Sequence, residues 1–191
     1  MKSEPGHFKF LAPFYERFIK PKEPWKILEQ LGLPQPEGMV LDAGGGTGRV
    51  AQYFVGKTAD VVVADQTFEM LLEARKKEGL TAVCSLTETM PFPGEQFCCI
   101  IMVDAFHHVA DQAATIRELW RVLKPGGRVI IEEPDIRKFS VKLVALAEKL
   151  ALMRSHFLSP QKILALFGDG GHHARVEVDK WTAWIIVEKE F

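Results

Sequence analysis

The chain has 191 residues, enough for one domain with a substantial core or for a core with a small appendage. Its apolar fraction of 47% and charged fraction of 26% are those of an ordinary globular protein. A formal net charge of −1 supplies no global field for a polynucleotide or an anionic surface, so nucleic acid is not an expected partner.

The three cysteines, Cys84, Cys98 and Cys99, show neither CxxC spacing nor a framework for a secreted disulfide fold. Cys98 and Cys99 lie in an apolar run and read as small buried hydrophobes. Residues 1–10 contain no apolar segment of the signal-peptide type. The longest apolar stretch, 141–153, is interrupted by Lys142, Glu148 and Lys149 and is shorter than the roughly 20 residues that cross a bilayer. No membrane insertion is expected, and the expected location is cytoplasmic.

In chain order, two helix-like pieces at 8–19 and 25–31 are separated from the rest by Pro21, Pro24, Pro34 and Pro36. A short buried strand is expected at 39–43 and a helix at 47–55. Residues 60–65 carry Val61, Val62 and Val63, the β-branched run of a strand covered on both faces. Thr67 is placed to cap a helix running to 76. Strands follow at 81–84 and 97–103. An amphipathic helix at 112–123 stops at Lys124-Pro125-Gly126-Gly127, and a fifth strand occupies 128–133. This alternation implies parallel βαβ units with right-handed crossovers. Helices at 139–153 and 160–167 lead to strands at 174–180 and 181–188, which read as a closing pair with an antiparallel edge strand.

The most informative residues are Val40-Leu41-Asp42-Ala43-Gly44-Gly45-Gly46-Thr47-Gly48-Arg49. A strand runs into a turn with four glycines in five positions and then towards a helix. Glycine permits positive φ and a close backbone approach to a ligand. The N–H groups that open the next element would face the crevice at the strands' carboxyl ends. Asp65, 23 residues beyond Asp42, stands where a carboxylate grips the hydroxyls of a ribose. An adenosine-type ligand is therefore expected. In the dinucleotide register GxGxxG that starts at Gly44, Arg49 occupies the place of the last glycine. A shifted register from Gly46 to Ala51 meets only the looser GxGxxA form. The pattern D-x-G-x-G-x-G from Asp42 to Gly48 fits without adjustment. An NAD-binding oxidoreductase is thus the less favoured reading.

This pattern resembles the first motif of the Rossmann-like class I S-adenosylmethionine-dependent methyltransferases. Met90-Pro91-Phe92-Pro93 with Phe97, the segment Asp104-Ala105-Phe106-His107-His108-Val109, and Leu119-Trp120-Arg121-Val122-Leu123-Lys124-Pro125-Gly126-Gly127 resemble later family motifs in the same order. Leu11-Ala12-Pro13-Phe14-Tyr15-Glu16 and His156-Phe157-Leu158-Ser159-Pro160 are similar to the branch of ubiquinone and menaquinone biosynthesis methyltransferases.

The resemblance implies an α/β, doubly wound, mostly parallel seven-stranded sheet with an antiparallel edge strand and an N-terminal helical cap. It divides a single domain, 1–191, into that cap at 1–36, a cofactor-binding core at 37–135, a helical lid or interface segment at 136–173 and the strand pair at 174–191. It implies S-adenosylmethionine as cofactor and a small-molecule methyl acceptor. Asp42, Ala43, Gly44, Gly46 and Gly48 would surround the methionine portion, with Asp104 near its amino group. Asp65 would hold the ribose, Gln66 would border the adenine, Met90 would pack on it and the Thr87 N–H would meet a ring nitrogen. Tyr15 would close over the cofactor. Leu86 stands where the family commonly has an adenine-binding Asp, leaving Glu88 or Ser85 as substitutes. Cys98 replaces the Asp of the family's Phe-Asp pair, a packing change. An inactive methyltransferase-like binding protein is the alternative these departures keep open.

A general base is needed only where the acceptor must lose a proton. His107 and His108 follow the fourth strand and have the ordinary pKa for that task, or else they shape the pocket. Glu132, Glu133 and Asp135, at the end of the fifth strand, either bind or deprotonate the acceptor or are solvated residues of a surface loop. The pairs His107-His108 and His172-His173 lack i, i+4 spacing, so no metal is expected. The segment 139–153 is apolar on nearly all sides. It would cover the acceptor pocket or form the interface of a homodimer, and the sequence leaves both open.

Overall fold

The computed structural model describes residue 27 and residues 38–58, 60–150, 155–168 and 170–191, with backbone only at 144 and 147–150. Tyr15 and the rest of the expected helical cap, apart from Ile27, lie outside the described residues. Seven strands form one sheet: β1 (Met39–Ala43), β2 (Asp60–Asp65), β3 (Leu80–Cys84), β4 (Phe97–Val103), β5 (Leu123–Pro134), β6 (His172–Asp179) and β7 (Thr182–Lys189). Their order is β3-β2-β1-β4-β5-β7-β6. The first five strands run parallel, with Val40 opposite Val61 and Ile101 opposite Ile130. The expected closing pair is present. Its antiparallel member, β7, slots between β5 and the outermost strand β6. Long-range pairing sets that order, which hydropathy along the chain does not encode.

Period-two alternation divides the core between the two sheet faces. Leu41, Val62, Ile100, Met102, Val129 and Ile131 meet α2 (Gln112–Val122) and α4 (Pro160–Ala165) through Ile116, Leu119, Val122 and Ile163. Val40, Val61, Val63, Ile101 and Ile130 face the other way. They pack with Phe54, Ile27 and α1 (Phe68–Ala74), which contributes Leu71 and Ala74. Asp111 caps α2 by accepting the Ala114 N–H at 2.8 Å, and Ser159 caps α4.

Three local expectations are corrected. The helix expected at 47–55 is a run of turns with a short 3₁₀ segment at Ala51–Tyr53. Gly48 has φ +70°, and most of the bonds that follow are of the i→i+3 kind, such as Tyr53 N–H to Val50 O. Thr67 occupies the N-cap position of α1 without capping it, because its backbone N–H and its hydroxyl both turn to Asp65. β5 begins at Leu123, and the expected stop signal is a loop-out within it: Phe97 pairs with Leu123 while Cys99 pairs with Arg128.

The helix α3 (Phe139–Leu150) buries Val141 and exposes Phe139, Leu143 and Leu146. Burial pushes the thiols of both Cys98 and Cys99 up, which keeps them uncharged. No helix among the described residues is long and apolar enough to cross a membrane.

Candidate functional site

A cavity of about 530 Å³ opens at the carboxyl ends of β1, β2, β3 and β4. This is where the sheet order reverses direction, the crevice in which open α/β sheets bind ligands. Its floor is the glycine turn after β1. Gly44 and Gly46 have φ values of +71° and +55°, a region that excludes most side chains. A Cβ on Gly44 would lie 2.8 Å from the Cβ of Ala105, and one on Gly45 would lie 2.5 Å from Cγ of Asp42. At Gly46 the nearest atom to such a Cβ is Asp65 Oδ2 at 3.9 Å, so glycine keeps the space beside that carboxylate open.

The polar groups are distributed by strand. Asp42, at the end of β1, is 2% exposed and its Oδ2 has no hydrogen-bond partner. Burial pushes its pKa up to about 7 against the opposing pull of the Arg49 guanidinium. Asp65, at the end of β2, accepts the Gly46 N–H at 2.9 Å and the Thr67 N–H at 2.7 Å. Desolvation raises its pKa despite those bonds. Asp104 follows β4 with φ +52°, an uncommon backbone state for a side-chain-bearing residue and one that clusters at functional sites. Its Oδ2 accepts a bond from Arg49 Nη2 at 2.9 Å.

At the third strand the cavity is bounded by Gln66, Met70, Leu86, Thr87 and Glu88. Leu86 exposes 51% of its surface. Of the two substitutes weighed for it, Glu88 is committed elsewhere, since it accepts the Ala110 and Asp111 N–H groups and the Thr87 hydroxyl. Ser85 Oγ is buried without a partner.

Asp42, Gly44, Gly46, Asp65, Gln66, Thr87, Asp104 and His108 all line the one cavity. Ala43, Gly48 and Met90 do not. Ala43 and Met90 are buried core residues, and a Cβ on Gly48 would lie 2.7 Å from Cδ1 of Leu80. His107 and Glu133 are also set apart from the cavity. They are 4% and 3% exposed, and His107 Nδ1 lies 2.5 Å from Glu133 Oε2. A carboxylate only accepts, so the proton of this bond sits on Nδ1. The other Glu133 oxygen accepts the Phe106 N–H. Glu132 accepts from the Trp184 indole, and Asp135 pairs with Arg137. These three carboxylates are therefore neither solvated nor in the cavity. No group of three His, Cys, Asp or Glu side chains among the described residues is arranged for a metal ion. None of the described side chains of α3 lines the cavity.

The wall nearest His108 is built by residues 155–158, which sequence reasoning overlooked as structure. The His156 N–H donates to His107 O at 2.7 Å, and Gln112 Nε2 donates to both Phe106 O and His156 O. The Phe157 ring stacks on His107 with centroids 4.2 Å apart, and His107 in turn lies 4.0 Å from His108. His156 itself lines the cavity.

Strand order, glycine turn and acidic strand ends together define the fold of class I methyltransferases, and the comparisons agree. Residues 41–131 match the family model described as a methyltransferase domain. The ubiquinone/menaquinone biosynthesis C-methyltransferase UbiE of Proteus mirabilis is 38% identical over 104 residues, covering 49% of this chain and 41% of that protein. The UbiE of Edwardsiella ictaluri is 38% identical over 129 residues, covering 62% and 50%. The chain thus spans about half the length of these relatives or less. Among solved structures, a complex between the Haloferax volcanii Trm112 methyltransferase activator and a methyltransferase contains a similar chain. It has a TM-score of 0.82 at 18% identity and covers 99% and 100% of the two chains. An S-adenosylmethionine-dependent methyltransferase from Thermotoga maritima gives 0.78 at 22% identity, covering 96% and 98%. At such identities the likeness is one of fold. Residues 41–131 are thus similar to the methyltransferase domain, and the fold is that of S-adenosylmethionine-dependent methyltransferases of known structure.

The cavity suits the cofactor of that class. The space that glycine preserves beside Asp65 would admit ribose hydroxyls, and the partnerless Asp42 oxygen would suit a cationic group.

Proposed function

We propose that the chain binds S-adenosylmethionine in this cavity and transfers its methyl group to a small-molecule acceptor. The observation that carries the reading is the placement of Asp65, Asp104 and the glycine turn around one cavity at the reversal of strand order. The cofactor supplies a methyl group already activated on its sulfonium. The protein's task is alignment and exclusion of water, and alignment alone is worth roughly 7–11 kcal/mol. Arg49 is the one Lys or Arg side chain lining the cavity among the described residues, against four carboxylates. That balance supports a neutral or cationic small acceptor over an anionic polymer. The wall formed by His108 and His156 is the acceptor side in this reading, with His108 as the group that takes a proton where the acceptor loses one.

Calorimetry provides the test. S-adenosylhomocysteine should bind at one site and NAD should not. Tight NAD binding with no response to S-adenosylhomocysteine would replace this reading with an oxidoreductase.

Asp65→Ala should weaken S-adenosylhomocysteine by about 1.5–3 kcal/mol, the range for hydrogen bonds to a charged group. Because Asp65 also anchors the Gly46 and Thr67 amides, denaturant melts should show a stability loss of about 1–2 kcal/mol. An unchanged dissociation constant would mean that the ribose is held elsewhere.

A further inference from the structure

We infer that α3 and the neighbouring β6–β7 turn form a docking face for an anionic lipid surface, on which the protein lies without crossing it. The inference does not depend on the proposed methyl transfer.

Among the described side chains of α3, the large apolar ones at Phe139, Leu143 and Leu146 are turned outward, 76%, 52% and 54% exposed. Spacings of four and then three residues set them in one stripe along the helix. Val141, on the opposite side, is only 5% exposed. The helix is thus held to the protein by one side and offers an apolar ridge on the other. Scattered exposed hydrophobics are ordinary, whereas a contiguous row marks an interaction site.

The ridge has a basic border. Lys138 and Lys142 are exposed beside it, and residues 136–146 contain no acidic side chain. Arg137 is spent on Asp135, which it binds through Nε at 2.8 Å. The whole chain carries a net charge of −1, so this cationic border is a local feature.

A second element brings the same chemistry to the same place. Asp179 pairs with Thr182, which leaves Lys180 and Trp181 as the turn between β6 and β7. Lys180 has φ +54°, a position where such turns favour Gly, Asn or Asp. The turn gives up that local preference and presents an exposed lysine beside an indole that is 48% exposed. Asp179, the carboxylate next to them, is half-buried. The Asp135 N–H donates to Trp181 O at 2.6 Å, and the Lys138 N–H donates to Asp135 O at 2.9 Å. These bonds tie the hairpin tip to the turn that opens α3.

An indole and lysines beside an apolar helix face are the groups that settle at a lipid–water boundary. The rings reach towards hydrocarbon there while the ammonium groups meet phosphate. A second copy of the chain fits this face less well. A two-fold interface would bring two sets of lysines together, with no acid from residues 136–146 to meet them. Both elements stand at the carboxyl end of the parallel strands, since Pro134, the last residue of β5, pairs with Thr182. The cavity opens at that same end.

Co-sedimentation of the full chain with vesicles is the test. At roughly 0.1 M salt the protein should bind phosphatidylcholine vesicles containing phosphatidylglycerol about 10- to 100-fold more tightly than phosphatidylcholine alone. Raising the salt to about 1 M should remove most of that preference. Lys138→Glu with Lys142→Glu should abolish it. Leu143→Gln with Leu146→Gln should weaken binding to both kinds of vesicle, and Trp181→Ala should do so from the second element. The lysine and leucine positions are exposed, so denaturant melts of those variants should match the wild type.

Absence of binding to either vesicle overturns the inference, as does equal affinity for the two. Binding that the variants leave unchanged overturns it as well. A concentration-dependent dimer that Leu143→Gln with Leu146→Gln dissolves would assign the ridge to a second copy and overturn the lipid reading.

Discussion

Asp42→Asn should make the protein more stable at pH 8 while weakening S-adenosylhomocysteine. The Asp42 carboxyl is buried, and its pKa is raised from 3.8 to about 7. A group whose folded pKa lies above its unfolded one favours folding most at low pH, and that contribution is lost as pH rises through the folded value. For Asp42 the loss runs from about pH 4 to about pH 7. Its full size is on the order of 4 kcal/mol, as an upper bound. Asparagine has no charge to bury but gives up the attraction to Arg49. A net gain of about 1–3 kcal/mol at pH 8 is therefore expected. Urea unfolding should show a clearly smaller gain at pH 5, where the folded wild type is already protonated.

The ligand's ammonium brings a positive charge to this end of the cavity and favours the ionised carboxylate. Binding to wild-type protein should thus release a fraction of a proton near pH 7 and tighten as pH rises from 6 to 8. Asp42→Asn should lose that pH dependence. A variant no more stable at pH 8 than the wild type, with the same pH trend in binding, would show that Asp42 is not the titrating group.

The strands covered on both faces were legible because their signal is local. β1, β2 and β4 coincide with apolar runs at 39–43, 60–65 and 97–103 that need only a hydropathy scan. The start of the next element was not. Thr47 to Val55 has helical composition, but Gly48 at φ +70° redirects the chain, and a glycine's φ cannot be read from its letter.

The site divides in the same way. Residues recognised through the glycine turn and the strand ends line the cavity, while Met90 lies in the core because the backbone beside it is pinned through its N–H to Glu118. Arg49 was read only as a missing glycine, although a long cation directly after the glycine turn carries its own signal. The His107–Glu133 contact was within reach. Val103, the last residue of β4, pairs with Glu132 of the adjacent parallel β5, which brings the segment after β4 beside Glu133.

That contact separates the two histidines in function. His108→Ala should lower turnover by roughly 10²–10⁴ where the acceptor must be deprotonated, with cofactor affinity nearly constant. His108 lines the cavity, with its Nδ1 3.4 Å from Ser155 Oγ. His107→Ala should behave as a packing change. It removes the ring between His108 and Phe157 and leaves Glu133 buried without its imidazole. Glu133→Ala should be the harsher of the two structural variants, since it strands both the His107 Nδ1–H and the Phe106 N–H. Each buried donor left unsatisfied costs about 1–3 kcal/mol. Glu133→Gln, which keeps an acceptor for one of those donors, should cost less.

The discriminating measurement pairs denaturant melts with kinetics, after a labelled-methyl screen of phenolic, quinone-like and amine compounds has found an acceptor. If His107 and Glu133 hold the wall, their variants lose stability first, and their kinetic loss falls mainly on acceptor KM because the wall at 155–158 loosens. If either took the proton itself, kcat would fall as steeply as in His108→Ala while the melt stayed unchanged, and the buried pair would have to reach the cavity in a conformation other than this one. Turnover indifferent to His108→Ala would mean that alignment alone carries the transfer.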